Sequence, residues 1–157
     1  MGHDDVGLAP IDRIVVGVDG SANSQRALRW AADLATRTQS EVIAVHAITL
    51  LERLAPDSEP VPTGPHRTQI LERFENEWCS PLDNSSASSR RLALDGPPVM
   101  ALLRAVEQEG AGLIVVGSRG VGGFAELLLG STSTQLAQHA PVPVAIVPAA
   151  ASERESG

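Results

Sequence analysis

Four short, nearly unbroken apolar runs constrain the fold of this chain more than any other feature: residues 14–18 (IVVGV), 42–48 (VIAVHAI), 113–116 (LIVV) and 142–147 (VPVAIV). Each is strand-sized, and each is continuous rather than alternating, as a strand covered on both faces requires. A fifth stretch, residues 90–94, alternates instead and predicts a sheet edge. Between these runs apolar residues return at helical spacing. Ala27, Leu28, Ala31, Leu34 and Ala35 share one side of the segment 21–39, and Ser21 is placed to cap it. Ile70, Leu71, Phe74 and Trp78 do the same over 66–78, and Val99, Leu102, Leu103 and Val106 over 97–110. A last helix is predicted over 131–139. The order β-α-β-α-β-α-β-α-β predicts an α/β fold: one doubly wound, five-stranded parallel sheet with helices on both faces.

The remaining sequence sets boundaries. The 157 residues suit one domain, expected over 12–148 between a flexible leader (1–11) and a disordered tail (149–157). Pro56, Pro60, Pro62 and Pro65 mark 49–65 as a long surface loop, and 83–89 reads as a polar connector. No apolar stretch approaches the ~20 residues of a membrane span. Asp4 and Asp5 stand where a secretion signal needs positive charge, so a cytoplasmic location is expected. Cys79 is the only cysteine, which excludes an intrachain disulfide and a cysteine-cluster metal site. A net charge of −7 makes nucleic acid an unexpected partner. All twelve basic residues are arginine, so no lysine is present to serve a phosphate.

Ligands of open parallel sheets bind beyond the carboxyl ends of the strands, where strand order reverses. Two predicted strands end unusually, one in Asp19-Gly20-Ser21 and one in Gly117-Ser118-Arg119-Gly120. If they are neighbours, their ends share one crevice. Gly117 and Gly120 lack Cβ atoms and let backbone amides approach a ligand. A helical turn is expected around 125–129, and Gly130-Ser131 opens the last helix, whose first N–H groups point outward with partial positive charge. Strand, glycine turn and helix N-terminus together suit a polyphosphate. An aspartate at position 117 is therefore expected to abolish binding without unfolding the chain. Arg119 is the cation within this loop, able to meet a phosphate or to sit in solvent. Asp19 is either a turn residue or a ligand contact. His46 reads as a satisfied core histidine, and Trp30 and Trp78 as packing.

Gly-x2-Gly-x9-Gly-Ser, matched from Gly117 to Ser131, resembles the phosphate loop of ATP-binding universal stress proteins. Val18-Asp19-Gly20-Ser21, His46-Ala47 and the closing Pro-Val-Pro-Val around Pro141 extend the resemblance over nearly the whole chain. The resemblance implies a Rossmann-like fold of the adenine nucleotide alpha hydrolase kind, with the first and fourth of the five strands adjacent. It implies that Asp19 contacts adenosine, with Ser21 beside it, and that the Ala47 backbone meets the adenine edge. Val116, Gly117 and Gly120 would line ribose and phosphates, with Arg119 alongside; Gly130, Ser131, Thr132 and Ser133 would receive the phosphate tail. Magnesium or manganese would arrive with the nucleotide, reached by Ser131 and Ser133. A homodimer through the last strand, from Val142 to Val147, is implied as well.

No Gly-x4-Gly-Lys, no Gly-x-Ser-x-Gly and no pyrophosphatase-type loop is present. The expected function is ATP binding in stress response or signalling, with at most slow hydrolysis. The alternatives are a binder of AMP or a cyclic adenine nucleotide, or a weak ATP hydrolase.

Overall fold

The computed structural model describes residues 11–119 and 129–150. β1 (Arg13–Gly17) leads through Ser21, whose Oγ accepts from the Ser24 N–H at 3.1 Å, into α1 (Ala22–Thr38). That bond satisfies one donor of the open first turn, and Gln39 in the left-handed region (φ 56°) ends the helix. β2 (Glu41–Ile48), β3 (Leu51–Glu52) and β4 (Val61–Pro62) precede α2 (Thr63–Arg73). β5 (Ser88–Asp95), α3 (Pro98–Glu109), β6 (Leu113–Gly117), α4 (Ser131–His139) and β7 (Val144–Val147) follow.

β5, β2, β1, β6 and β7 form one sheet in that order, every pairing parallel. Successive strand residues face opposite sides, so one sequence feeds two cores. Ile14, Val16, Val42 and Ala44 pack with Leu28, Ala31, Phe74 and Trp78. Val15, Ile43, Val45 and Ile114 pack with Leu102, Ala105, Val106 and Leu136. The chain builds outward from β1 to β2 and β5, then crosses back to β6 and β7. Strand order thus reverses between β1 and β6, whose carboxyl ends lie side by side through Val16↔Val115.

The structure corrects several boundaries. The proline-rich stretch contains the antiparallel pair β3–β4, and α2 starts at Thr63 rather than 66. Two-residue strands are too short to leave a period in the sequence. The helix ends in a π-helical turn, Phe74–Trp78, which brings Phe74 and Trp78 into the core. β5 is an edge strand as its alternation predicted, but runs from Ser88 to Asp95. β7 starts at Val144, after Pro143, whose carbonyl accepts from Ile114. Trp30 is 45% exposed, so the packing role expected of both tryptophans belongs to Trp78. Ala149 is buried, and residues 151–157 lie outside the described residues. Among the described residues no helix is long and apolar enough to cross a membrane.

Candidate functional site

A cavity of about 550 Å³ opens at the carboxyl ends of β1, β2 and β6, where strand order reverses. The first turn of α4, Pro98 and Leu102 of α3, and the β3–β4 hairpin add to its lining. This volume falls within the range that holds a small ligand.

On the β1 side, Asp19 Oδ1 accepts from the Ser21 N–H at 2.9 Å, and the Asp19 N–H reaches Ser24 Oγ at 3.3 Å. The turn needs Gly20 at φ 86°, where a Cβ would lie 2.7 Å from Trp78 Cε2. Asp19 and Ala47 line the cavity. Ser21 does not; it is buried and caps α1, while Ser24 takes a place in the lining.

On the β6 side, Val116, Gly117, Ser118 and Arg119 meet Gly130, Ser131, Thr132 and Ser133. Two bonds staple the ends of the glycine-rich segment together. The Gly130 N–H donates to the Ser118 carbonyl at 2.6 Å, and Ser133 Oγ faces the Ser118 and Gly130 carbonyls at 3.3 and 3.1 Å. The first intrahelical bond of α4 is Thr134 N–H to Gly130 O, so the amides of Ser131, Thr132 and Ser133 have no acceptor within the helix. Gly120, and residues 125–128 of the turn expected around 125–129, lie outside the described residues.

Asn23 escaped sequence reasoning. It is buried in the first turn of α1, its Nδ2 donating to the Val147 carbonyl at 3.1 Å. Its Oδ1 accepts from the Arg119 N–H at 2.8 Å and the Ser118 hydroxyl at 3.2 Å. One neutral side chain thereby ties α1, β7 and the start of the loop. Gly117 makes room for it, since a Cβ there would lie 2.8 Å from Asn23 Cγ. Gly117 is thus bare for Asn23 as well as for a ligand, and its backbone is ordinary strand rather than a left-handed turn. An aspartate at this position would meet Asn23 first, so a cost to the fold is expected beside the loss of binding.

Glu52 was also missed. It is buried in the cavity wall, with Oε1 2.6 Å from His46 Nε2, and Oε2 2.6 Å from Thr49 Oγ1 and 3.1 Å from the Thr49 N–H. Burial opposes its ionisation, but the bonds from His46 and Thr49 outweigh it and hold the carboxyl below its ordinary range. Four residues within a proline-rich loop gave no hint of this. Burial pushes the Cys79 thiol up to about 11, against the opposing influence of Arg91, so it stays protonated at neutral pH. Among the described residues no group of three or more His, Cys, Asp or Glu side chains is arranged to hold a metal.

The comparisons with known proteins agree with this architecture. The profile described as the universal stress protein family matches residues 10–148. A universal stress protein of Mycolicibacterium smegmatis is 32% identical over 148 residues, covering 85% of this chain, which spans only 47% of that relative's length. The universal stress protein YxiE of Bacillus subtilis is 30% identical over 149 residues, with 87% of this chain and 98% of the relative covered. A universal stress protein solved in complex with cAMP superposes with a TM-score of 0.63 at 26% identity, covering 89% of this chain and 98% of its own. With the profile spanning nearly the whole chain and the sheet order placing β1 beside β6, this chain belongs to the universal stress protein family.

Proposed function

We propose that the chain binds an adenine nucleotide in the cavity at the β1–β6 reversal, and that ATP is its ligand in a stress-response or signalling role. The observation that carries the reading is the convergence of main-chain donors on one side of that cavity. The stapled Ser118–Gly130 junction sets the α4 N-terminus beside the end of β6. Free helix amides and the helix dipole favour a multiply charged anion there. Asp19 and Ala47, on the lining of the same cavity, are then the contacts for the adenosine portion.

Ser131 and Thr132 would face phosphate oxygens, and Arg119 would add charge. Gly120 belongs to the same loop by sequence. Ser133 Oγ is directed at two carbonyls, so its hydroxyl serves the loop's shape and its amide serves the ligand. Magnesium or manganese would enter with the nucleotide, held by phosphate oxygens and the Ser131 hydroxyl. Among the described residues the cavity offers no lysine, both nitrogens of His46 are engaged, and Asp19 Oδ1 accepts from the Ser21 N–H. Hydrolysis is accordingly slow. Cytoplasmic location and pairing of two copies through β7 complete the proposal.

AMP or a cyclic nucleotide is the second reading, favoured by the relative solved with cAMP. Mass spectrometry of ligand released from freshly purified protein, followed by calorimetric titration with ATP, AMP and cAMP, separates the readings. Tighter binding of AMP or cAMP than of ATP would overturn the choice of triphosphate; binding of none would overturn the site. Phosphate release faster than about 1 s⁻¹ would make the protein an enzyme instead.

A further inference from the structure

A buried histidine and a buried glutamate face each other in the cavity wall, and nucleotide binding assigns neither a task. His46 near the end of β2 and Glu52 of β3 are 5% and 8% exposed, with Nε2 and Oε1 2.6 Å apart. The other ring nitrogen, Nδ1, lies 2.7 Å from the Val18 carbonyl oxygen. A carbonyl only accepts, so Nδ1 carries a proton. A neutral ring would then turn the Nε2 lone pair toward a carboxylate lone pair, and a 2.6 Å approach requires one proton more. Glu52 Oε2 accepts from the Thr49 N–H, which favours the ionised carboxylate; the Thr49 hydroxyl lies between Oε2 at 2.6 Å and the Leu51 carbonyl at 2.8 Å. The extra proton therefore belongs to the ring. Phe74 and Trp78, with ring centroids 5.6 and 5.1 Å from that of His46, supply an aromatic enclosure suited to a cation.

The consequence is mechanical. β3 pairs with β4 alone and takes no place in the five-stranded sheet. The backbone bonds from Thr63 and Gly96 hold the chain at the hairpin's feet, to Leu50 and Ile48. His46–Glu52 joins β3 itself to the sheet. The geometry points to His46 as an imidazolium whose proton latches the β3–β4 hairpin against the sheet, so that this cavity wall loosens when the proton leaves.

The surrounding charges are otherwise occupied or lie elsewhere on the lining. Arg53 donates to the Ser58 carbonyl, His66 of α2 faces the Pro62 carbonyl, and Arg67 of α2 pairs with Asp95 at the end of β5. Arg104 of α3 turns to the Asp95 carbonyl, while Asp19 and Arg119 line the cavity at the ends of β1 and β6. Because the Glu52 carboxyl is depressed on folding, its contribution is present above the ordinary carboxylate value of about 4.3 and lost as pH falls through the lower folded value.

That the wall bounds a nucleotide site rests on the proposal above; the latch does not, and it is measured on the ligand-free full chain. Nitrogen NMR of the His46 ring at about pH 7 should show both nitrogens protonated, and a neutral ring there overturns the latch. Hydrogen exchange at Leu51, Glu52 and Val61, corrected for intrinsic rates, should report an opening constant that grows about tenfold or more from about pH 6 to about pH 9. Glu52→Gln should flatten that dependence, since a carboxamide N–H donates to a neutral Nε2. A flat wild-type profile, or an equal rise in Glu52→Gln, overturns the latch. Should the variant not fold, the wild-type ring spectrum decides alone. If the latch measurements succeed while ATP, AMP and cAMP all fail to bind, the nucleotide reading falls and the latch stands.

Discussion

The two walls of the cavity are built on opposite principles. The β6 wall is main chain held by neutral bonds: Ser118 to Gly130, and Asn23 to Val147, Ser118 and Arg119. The hairpin wall hangs on side chains that can gain or lose charge, His46 and Glu52. The difference teaches which wall defines the site and which can respond to conditions. Neutral amide bonds keep their strength across physiological pH, whereas a buried ion pair is only as firm as its protons.

The heaviest blow to this comparison is Gly117→Asp. A Cβ there meets Asn23 at 2.8 Å, and the carboxylate would be forced against the bridge that positions the loop. A loss of about 3 kcal/mol or more in chemical denaturation is expected, together with loss of ATP binding by calorimetry. Wild-type stability with lost binding would mean that Asn23 moves aside freely, and that the β6 wall is less fixed than argued.

Asn23→Ala isolates the bridge from the overpacking. It removes three buried hydrogen bonds, to the Val147 carbonyl, the Ser118 hydroxyl and the Arg119 N–H, at a cost of about 2 kcal/mol, while the Val147 carbonyl keeps the Ser118 N–H. ATP affinity should fall about tenfold or more, because the loop start is released. Equal stability with and without Asn23 would show that the bridge does not hold the loop start in place.

Acid titration sharpens the contrast next. The lowered Glu52 carboxyl means that its contribution to hairpin protection is present above the ordinary carboxylate range and is lost as pH drops through the folded value. Exchange at Ser118 and Arg119 should not follow that fall. Parallel loss at both walls would show that they open as one unit. The smallest effect is Ser21→Ala, which removes the α1 cap at about 1 kcal/mol while leaving ATP affinity unchanged. An affinity loss exceeding the stability loss would return Ser21 to the list of ligand contacts.

The parts legible in the sequence were those whose signal is local. Continuous β-branched runs wrote the buried strands, and helical spacing wrote α1 and α3. Gly110 at φ 64° ends α3 where its sequence placed the stop. The alternation at 90–94 marked β5 as an edge, and the edge proved longer because its polar ends pair by register with β2, from Glu41↔Ser88 to Ile48↔Asp95. Asn23 and Glu52 stayed hidden for the opposite reason. Asn23 reaches a carbonyl 124 residues away, and no window along the chain contains both ends of that bond.

The sequence alone therefore determined which segments become strands and helices, and the family to which the fold belongs, because burial on two faces and the glycine spacing are written in consecutive residues. Only the tertiary structure decided that Gly117 must be bare to admit Asn23, and that Glu52 faces His46 in the cavity wall. Steric exclusion and proton sharing are properties of atoms brought together from distant positions, and they come into being with the packing.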